Sequence, residues 1–283
     1  MNKKITSYWK LLRVNEWFGK VAIITILALS FGTKSYSPTI IFALYLINIF
    51  NNAFSFGIND IEDANDDALD PAKVNRNPLS ANIINKNEAI IVVFLTAVFC
   101  LAISSIFNLY TTILCLASLT IGFLYSYKPV RLKSKPFLDL ISHGFFLGFA
   151  QFLVPAVALD IPMTPAFLFV ALMIFANSLF GDLYNEIRDY KVDRATNIRN
   201  TASIIDLRQY ESQIHILHLL ALSLTLIVSI FNLNPNLRLQ IIIIATILFV
   251  ISSFFPQKTK KRALAYSEPL MTLASLIFLF FIL

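Results

Sequence analysis

The sequence predicts an all-α, polytopic membrane protein with nine transmembrane helices, and three observations lead to this fold class. First, the 283 residues are 57% hydrophobic and only 14% charged, which is too apolar for a soluble domain of this length. Second, the apolar residues gather in runs of the ~17–25 residues that a helix needs to cross a bilayer. Third, the basic residues crowd into alternate loops, as they do when successive loops lie on opposite sides of a membrane.

The nine predicted helices follow one another along the chain, each bounded by polar or charged residues. Ahead of the first, bulky and basic residues alternate over Ser7–Trp17, which predicts a helix lying at the membrane interface. The longest polar stretches are only 59–88 and 184–212, so we expect a single membrane domain over residues 1–283. The predicted transmembrane helices cover residues 18–33, 38–58, 89–107, 110–127, 137–159, 163–183, 214–232, 238–255 and 267–283.

The basic residues also orient these helices. With a cytoplasmic N-terminus, 21 of the 23 Lys and Arg residues fall in cytoplasmic segments, and only Lys34 and Arg238 fall outside. This bias, together with anionic membrane lipid, accounts for the net charge of +6, so no nucleic acid partner is expected. The same orientation puts the ends of the second and sixth predicted helices on the cytoplasmic side.

Two acidic clusters lie at those two helix ends. The first acidic cluster is residues 59–67 and the second acidic cluster is residues 185–193. In each, one Asn and two Asp residues recur at intervals of four, so on a continuing helix they lie near one face. Asp60 and Asp67, which are seven residues apart, are also expected to share a neighbouring face. Such oxygen ligands suit Mg²⁺, which binds through a few carboxylates together with substrate phosphates. The predicted metal ligands are Asn59, Asp60, Asp63, Asp67, Asn185, Asp189 and Asp193.

Basic residues follow or interrupt both clusters, as a diphosphate site requires. Arg pairs with phosphate through a planar fork, and Lys acts as a point charge. Cytoplasmic loops carry such residues in any case, so each one supports the site less than the repeated carboxylate pattern does. The basic residues predicted to bind substrate are Lys73, Arg76, Lys128, Arg131, Lys133, Arg188 and Lys191.

Together these motifs resemble the UbiA superfamily of intramembrane prenyltransferases over nearly the whole chain. The first acidic cluster matches the pattern NDxxDxxxD in full, and Asp189 with Asp193 matches DxxxD. Arg13–Trp17 resembles the N-terminal Arg-Pro-x-x-Trp segment, and Tyr125–Lys133 resembles the Tyr/Lys loop. The resemblance therefore adds Arg13 and Tyr125 to the residues expected to bind substrate.

The chain departs from the superfamily pattern in three segments. Asn77 separates Arg76 from Pro78 where the pattern reads Arg-Pro-Leu-x-x-Gly, and the glycine is missing. The second acidic cluster is followed by Asn197 in place of a glycine, and Asn tolerates the left-handed backbone better than other non-glycine residues. In the Tyr/Lys loop the superfamily pattern is Tyr-x-x-x-Lys. Tyr127 and Arg131 have this spacing with Arg in place of Lys, whereas Tyr125 and Lys128 are one residue too close.

The resemblance implies a fold, an activity and a cofactor. Nine helices would surround a central cavity in the membrane, without any requirement for an oligomer. Mg²⁺ held by both acidic clusters would bind an isoprenyl diphosphate, whose isoprenyl group passes to a lipophilic or aromatic acceptor. The expected location is a prokaryotic plasma membrane, with the active site facing the cytoplasm. The carboxylates expected to be catalytic are Asp63, Asp67, Asp189 and Asp193.

Two other functions stay open at the level of sequence. A terpene cyclase of the UbiA type keeps the same motifs but has no separate acceptor. A polytopic transporter would carry ionisable residues near the middle of its helices. Here we expect charged residues at helix ends or in loops, as with Asp160, which makes transport the weaker alternative.

Overall fold

The computed structural model describes residues 3–69, 71–195 and 198–232, and for a few of them, including 191–195, only the backbone. Within these ranges the regular structure is entirely helical. The α-helices are α1 (Lys3–Leu11), α2 (Val14–Leu29), α3 (Pro38–Asp67), α4 (Pro71–Val74), α5 (Lys86–Ser105), α6 (Leu109–Ser126), α7 (Leu138–Gly144), α8 (Ala150–Ala158), α9 (Pro165–Ala195), α10 (Thr201–Ile205) and α11 (Glu211–Asn232).

Side-chain caps fix where the long helices begin. Ser37 accepts a hydrogen bond from the backbone N–H of Ile40, and the proline that follows Ser37 suits the first turn. Asn85 and Glu88 cap each other's backbone at the start of α5, which is a capping box. Asn108 accepts from the Thr111 N–H at 2.8 Å and starts α6.

Five helical segments of the described chain are long and apolar enough to cross a membrane. They agree with the second to sixth predicted transmembrane helices, while α2 and α11 overlap the first and seventh predictions. The predicted helices over 238–255 and 267–283 lie outside the described residues. The five segments are Pro38–Asp67, Lys86–Ser105, Leu109–Ser126, Leu138–Ala158 and Pro165–Tyr190.

Helix α3 is long enough to carry the first acidic cluster out of the bilayer. Its 30 residues rise about 1.5 Å each and exceed the ~30 Å thickness of the hydrocarbon core. The cluster is therefore helical, as the sequence predicted, and lies at one end of a long, partly buried helix. Helix α9, with 31 residues, carries the second acidic cluster in the same way.

The predicted interfacial helix over Ser7–Trp17 is wrong in one respect, because the chain breaks in the middle of it. Helix α1 ends at Leu11, α2 begins at Val14, and Arg13 between them has a left-handed backbone with φ of 47°. The break turns the Arg13 side chain towards Asp60 of α3, a contact between distant residues that local sequence patterns do not report.

The helices pack around α3 and α9. Helix α3 contacts α2, α5, α6 and α8, and α9 contacts α7, α10 and α11. Leu44 and Ile47 of α3 are buried against Val93 of α5 and Leu119 of α6. The outer faces of α5 and α6 leave large apolar side chains exposed, as a lipid-facing surface requires.

Between α7 and α8 the chain forms one π-helical turn, Phe145–Phe149, which lies against α6 and α9. The carbonyl of Phe146 accepts hydrogen bonds from Asn51, Ser118 and Gln151, at 3.4, 3.4 and 3.1 Å. A π-turn disturbs the regular backbone ladder, and polar side chains here satisfy a carbonyl that water would otherwise have to reach. These hydrogen bonds link the π-helical turn to α3, α6 and α8.

Candidate active site

The first acidic cluster presents two faces, each covered by basic residues from other segments. On one face the Arg13 Nε donates to Asp60 Oδ1 at 2.9 Å. The Arg76 Nη2 lies 3.6 Å from Asp67 and 4.0 Å from Asp60. Asn77 Nδ2 donates to Asp67 Oδ2 at 2.9 Å. Asp60 is fully buried, so these groups replace the water that would otherwise solvate its charge.

The other face holds Asn59 and Asp63. The Lys133 ammonium donates to Asn59 Oδ1 at 2.9 Å and also to Asp63. The Arg131 Nη2 lies 3.2 Å from Asp63 and 3.1 Å from Asp66. Asp63 keeps only 15% of its side chain exposed. It is therefore less exposed to water than its place near a helix end would suggest.

This division corrects the sequence-based grouping of Asn59, Asp63 and Asp67 on one face. A helix turns about 100° per residue, so a step of seven returns to within about 20° of its start, and a step of eight overshoots by about 80°. Asp67 therefore lies above Asp60, and the two share Arg76 and Asn77.

Two of the covering arginines have unusual backbone conformations. Arg13 has φ of 47° and Arg131 has φ of 44°, both in the left-handed region that non-glycine residues seldom adopt. Each precedes a helix and sends its guanidinium to a carboxylate of α3. Burial lowers the pKa of Arg13, but the Asp60 carboxylate more than offsets this, so the net pKa is raised. Strain of this kind persists where surrounding contacts over-determine it.

The basic segment after the first cluster explains two departures from the superfamily pattern. Asn77 is buried, and its amide donates to the Asp60 carbonyl at 2.8 Å as well as to Asp67, while its oxygen accepts from the Leu79 N–H. Asn82, at the position of the missing glycine, has φ of 53°. An Asn thus adopts the left-handed backbone that the glycine would supply.

The second acidic cluster reaches the same end of the bundle as the first. Asp189 lies 3.6 Å from the Lys73 ammonium, which belongs to α4 just after the first cluster, and 3.1 Å from Arg188. Arg188 is mostly exposed and Asn185 is exposed. The side chains of Lys191 and Asp193 lie outside the described part of the chain.

Two buried carboxylates that the sequence analysis missed hold the segment after the second cluster. Asp139 accepts from both the backbone N–H and the hydroxyl of Thr201, each at 2.6 Å. Glu186 accepts from the Ala202 N–H at 3.0 Å. Thr201 and Ala202, at the start of α10, are thereby tied to α7 and α9. Asp139 lies just inside a predicted apolar run. This position was the signal in the sequence that could have identified it.

A third group of polar side chains lies between α6, α7 and α9. The Tyr125 hydroxyl donates to Asp182 at 3.1 Å, and His143 Nε2 lies 3.7 Å from Asp182 Oδ1. The sequence analysis assigned Tyr125 to substrate and overlooked Asp182. Asp182 is an ionisable residue inside an apolar run, seven residues before Asp189, and that position was a usable signal. It is the penultimate residue of the sixth predicted transmembrane helix, so it falls within the expectation that charged residues stand at helix ends or in loops.

The cluster residues can be judged as metal ligands from their own surroundings. Asp60 Oδ2 is buried and has no hydrogen-bond partner among the described residues. Over the same residues, no three His, Cys, Asp or Glu side chains converge closely enough to form a metal site by themselves. Any ion there therefore requires oxygen ligands from elsewhere, such as substrate phosphates, water or the undescribed Asp193 side chain. Hard oxygen donors with that requirement fit Mg²⁺ better than Zn²⁺.

These features define an integral membrane protein with a charged, cation-covered acidic site at one end of its helical bundle. Comparison with known families specifies it further. The model of the UbiA prenyltransferase family matches residues 21–279, so the chain belongs to that family.

Solved structures agree on the fold. A UbiA homologue from Archaeoglobus fulgidus, bound to GPP and Mg²⁺, is 20% identical with a TM-score of 0.69, over 98% of this chain and 99% of that one. The apo structure of a UbiA homologue from Aeropyrum pernix K1 is 16% identical with a TM-score of 0.67, over 94% of this chain and 95% of that one. At these identities the likeness shows the fold alone.

A curated relative is the lycopene elongase/hydratase of Haloarcula japonica, which is 28% identical over 172 residues. The match covers 60% of this chain and 56% of the relative, so it spans just over half of that protein's length.

Proposed function

We propose that this protein transfers an isoprenyl group, in a Mg²⁺-dependent reaction, from a prenyl diphosphate to a lipophilic or aromatic acceptor inside the membrane. The observation that carries the proposal is the first acidic cluster, whose motif carboxylates Asp60, Asp63 and Asp67 each meet a basic side chain from another segment. A site with carboxylates for metal and mobile cations for phosphate suits a metal-bound diphosphate.

The proposed metal ligands are the oxygen groups of both acidic clusters, led by Asp60 and Asp63, with Asp67, Asp189 and Asp193. When bound, Mg²⁺ would supply the positive charge that stabilises diphosphate as a leaving group. The relatives solved with Mg²⁺ together with GPP or DMAPP support this cofactor and donor.

The basic residues would change partners when the donor binds. Arg76, Arg131 and Lys133 now neutralise carboxylates, and we propose that they turn to phosphate oxygens once metal ions take over those carboxylates. Arg76 Nε is buried without a hydrogen-bond partner among the described residues. Its guanidinium group therefore has an N–H that could donate to a phosphate oxygen. Lys73, Lys128, Arg188 and Lys191 would add positive charge at the rim.

The acceptor is proposed to be carried by the membrane rather than by the cytoplasm. The helices that hold the site are themselves long enough to cross the bilayer, so an acceptor dissolved in lipid can approach between them. The curated relative named a lycopene elongase/hydratase is consistent with such an acceptor, because a polyene is soluble only in lipid.

The proposal is tested with purified protein in liposomes and labelled dimethylallyl diphosphate. The acceptor panel contains lycopene, a glycerol-phosphate ether lipid and 4-hydroxybenzoate. We expect a labelled, extractable product that requires Mg²⁺ and disappears with a chelator. Transfer that persists after complete chelation contradicts the metal role, and absence of a labelled product with the whole panel contradicts the acceptor class. A labelled cyclic product from geranylgeranyl diphosphate without acceptor would favour the terpene cyclase.

We also propose the complete topology: one domain over residues 1–283 with nine transmembrane helices, a cytoplasmic N-terminus and a cytoplasmic active site. Single cysteines at Asn65 and Lys34 test it, since Asn65 is exposed at the first acidic cluster and Lys34 follows α2. Native Cys100 and Cys115 are buried and give little background. Asn65→Cys should react only from the cytoplasmic side and Lys34→Cys only from the other side. Labelling of both from one side contradicts the topology.

A further inference from the structure

We propose that Asp182, oriented by Tyr125 and His143, is the group that takes the acceptor's proton after the isoprenyl group has been transferred. This inference rests on the proposed function and assigns a second step to a separate part of the molecule. It concerns side chains outside both acidic clusters, none of which belongs to the predicted metal ligands.

The position of Asp182 is the first support. It lies seven residues before Asp189 on α9, so both carboxylates project from nearly the same helix face, about 10 Å apart along the axis. Asp182 therefore lies deeper than the diphosphate end of the site. That is the direction in which the isoprenyl carbon and the acceptor must meet, because their apolar chains lie in the membrane.

The partners of Asp182 are the second support. The Asp60 and Asp63 carboxylates are contacted by arginine or lysine, but the groups in contact with Asp182 in the described chain are a phenol and an imidazole. The Asp139 carboxylate, Lys133 and Lys20 act on Asp182 only through space. A buried carboxylate whose direct contacts are neutral exchanges a proton more readily than one fixed in an ion pair.

The contacts of His143 are the third support. Its Nδ1 lies 3.1 Å from both the carbonyl oxygen and the hydroxyl oxygen of Ser178, so Ser178 fixes the orientation of the ring. Its Nε2 faces Asp182 Oδ1 at 3.7 Å. An imidazole carries its proton on either ring nitrogen, which suits a neighbour of a carboxylate that gains and loses a proton.

The reaction step balances without any further reagent. The C1–O bond of the prenyl diphosphate breaks and its electron pair leaves with the diphosphate. A π-electron pair of the acceptor forms the new bond to C1, which leaves a cation on the acceptor. The electron pair of an adjacent C–H bond restores the π-bond, and its proton passes to the Asp182 carboxylate. Tyr125 holds that carboxylate in place by its hydrogen bond.

The test compares Asp182→Asn with Glu88→Gln, a matched carboxylate-to-amide change at the exposed start of α5. Asn has the shape of Asp and can still accept from Tyr125, so the helix contacts survive while the base is lost. Labelled dimethylallyl diphosphate is supplied with the panel acceptor that the wild-type protein prenylates. Diphosphate release and prenylated product are measured separately in the same reactions.

We expect Asp182→Asn to keep releasing diphosphate, with the isoprenyl cation captured by water, while product per diphosphate falls on the order of 100-fold. Deuterium at the reacting acceptor carbon should then slow product formation in Asp182→Asn but not in wild type. Glu88→Gln should keep the wild-type ratio. A wild-type ratio in folded Asp182→Asn overturns the inference, as does a parallel loss of release and product.

If Asp182→Asn does not fold, Tyr125→Phe gives the same information, because it removes the hydrogen bond that positions the carboxylate. The ratio should fall at least about tenfold in Tyr125→Phe, and an unchanged ratio overturns the inference. Failure of the proposed function is distinguishable, since the wild-type protein itself would then form no prenylated product.

Discussion

The first acidic cluster and Asp182 place the same functional group in two different surroundings. In the cluster, Asp60 and Asp63 are each held by an arginine or lysine from a distant segment. Asp182 lies on α9, within the sixth predicted transmembrane helix. Its direct contacts in the described chain are Tyr125 and His143.

The difference shows how partners set the role of a carboxylate. A carboxylate paired with guanidinium and ammonium groups can exchange those cations for metal ions when a diphosphate arrives. A carboxylate among neutral donors is suited to gain and lose protons.

The largest effect is expected from Asp63→Asn. It keeps the size of the side chain but removes the charge that Arg131 and Lys133 contact, and with it the proposed metal ligand. We expect diphosphate release and product formation to fall together by about 100- to 1000-fold. Asp66→Asn, which shares Arg131 but lies outside the metal pattern, should lose far less. Equal losses in the two variants would contradict the assignment of Asp63.

Arg76→Lys should have an intermediate effect. Lysine keeps the positive charge but lacks the planar fork whose Nη2 reaches towards Asp60 and Asp67. Loss of one charge-assisted hydrogen bond to phosphate, about 1.5–3 kcal/mol, should lower kcat/KM for the prenyl diphosphate at least about tenfold. Arg208→Lys, an exposed arginine paired with Asp206, is the control and should behave as wild type. Unaltered kinetics in Arg76→Lys would mean that Arg76 contributes only to the charge bias that orients the helices in the membrane.

The smallest effect is expected from Asn82→Ala, which tests backbone strain beside the cluster. Alanine at φ of 53° costs about 1–2 kcal/mol relative to a residue that tolerates the left-handed region. The Tm of the protein in detergent should drop by about 2–8 °C, while Asn82→Gly should keep or raise it. A Tm unchanged in Asn82→Ala would show that the loop does not need this conformation.

The sequence predicted the helices far better than the contacts between them. Apolar run length and loop charge located the seven predicted helices that fall in the described residues, because both signals are local. The same local spacing misplaced Asp67, since a helix repeat of four drifts away from its starting face. The break at Arg13 was missed because its cause is Asp60, 47 residues away.

Only part of the candidate site could be predicted, because local sequence patterns do not show contacts between distant residues. The acidic clusters and their basic neighbours are recognisable from composition, and the structure brings Lys73, which follows the first cluster, close to Asp189 of the second. Asp139 and Asp182 were overlooked because each is a single acid near the edge of an apolar run, and Glu186 because it lies outside the Asn and Asp repeat of the second acidic cluster. Only the folded arrangement of α6, α7 and α9 gives each of them its partners.

The central claim is that the first acidic cluster exchanges its covering cations for metal ions when a prenyl diphosphate binds. Calorimetric titration of the liposome-embedded protein with dimethylallyl thiolodiphosphate, an analogue that does not ionise, tests it directly. We predict binding with Mg²⁺, no binding after chelation, and no Mg²⁺-dependent binding in Asp63→Asn. Equal affinity with and without Mg²⁺, or wild-type affinity in Asp63→Asn, would contradict the account.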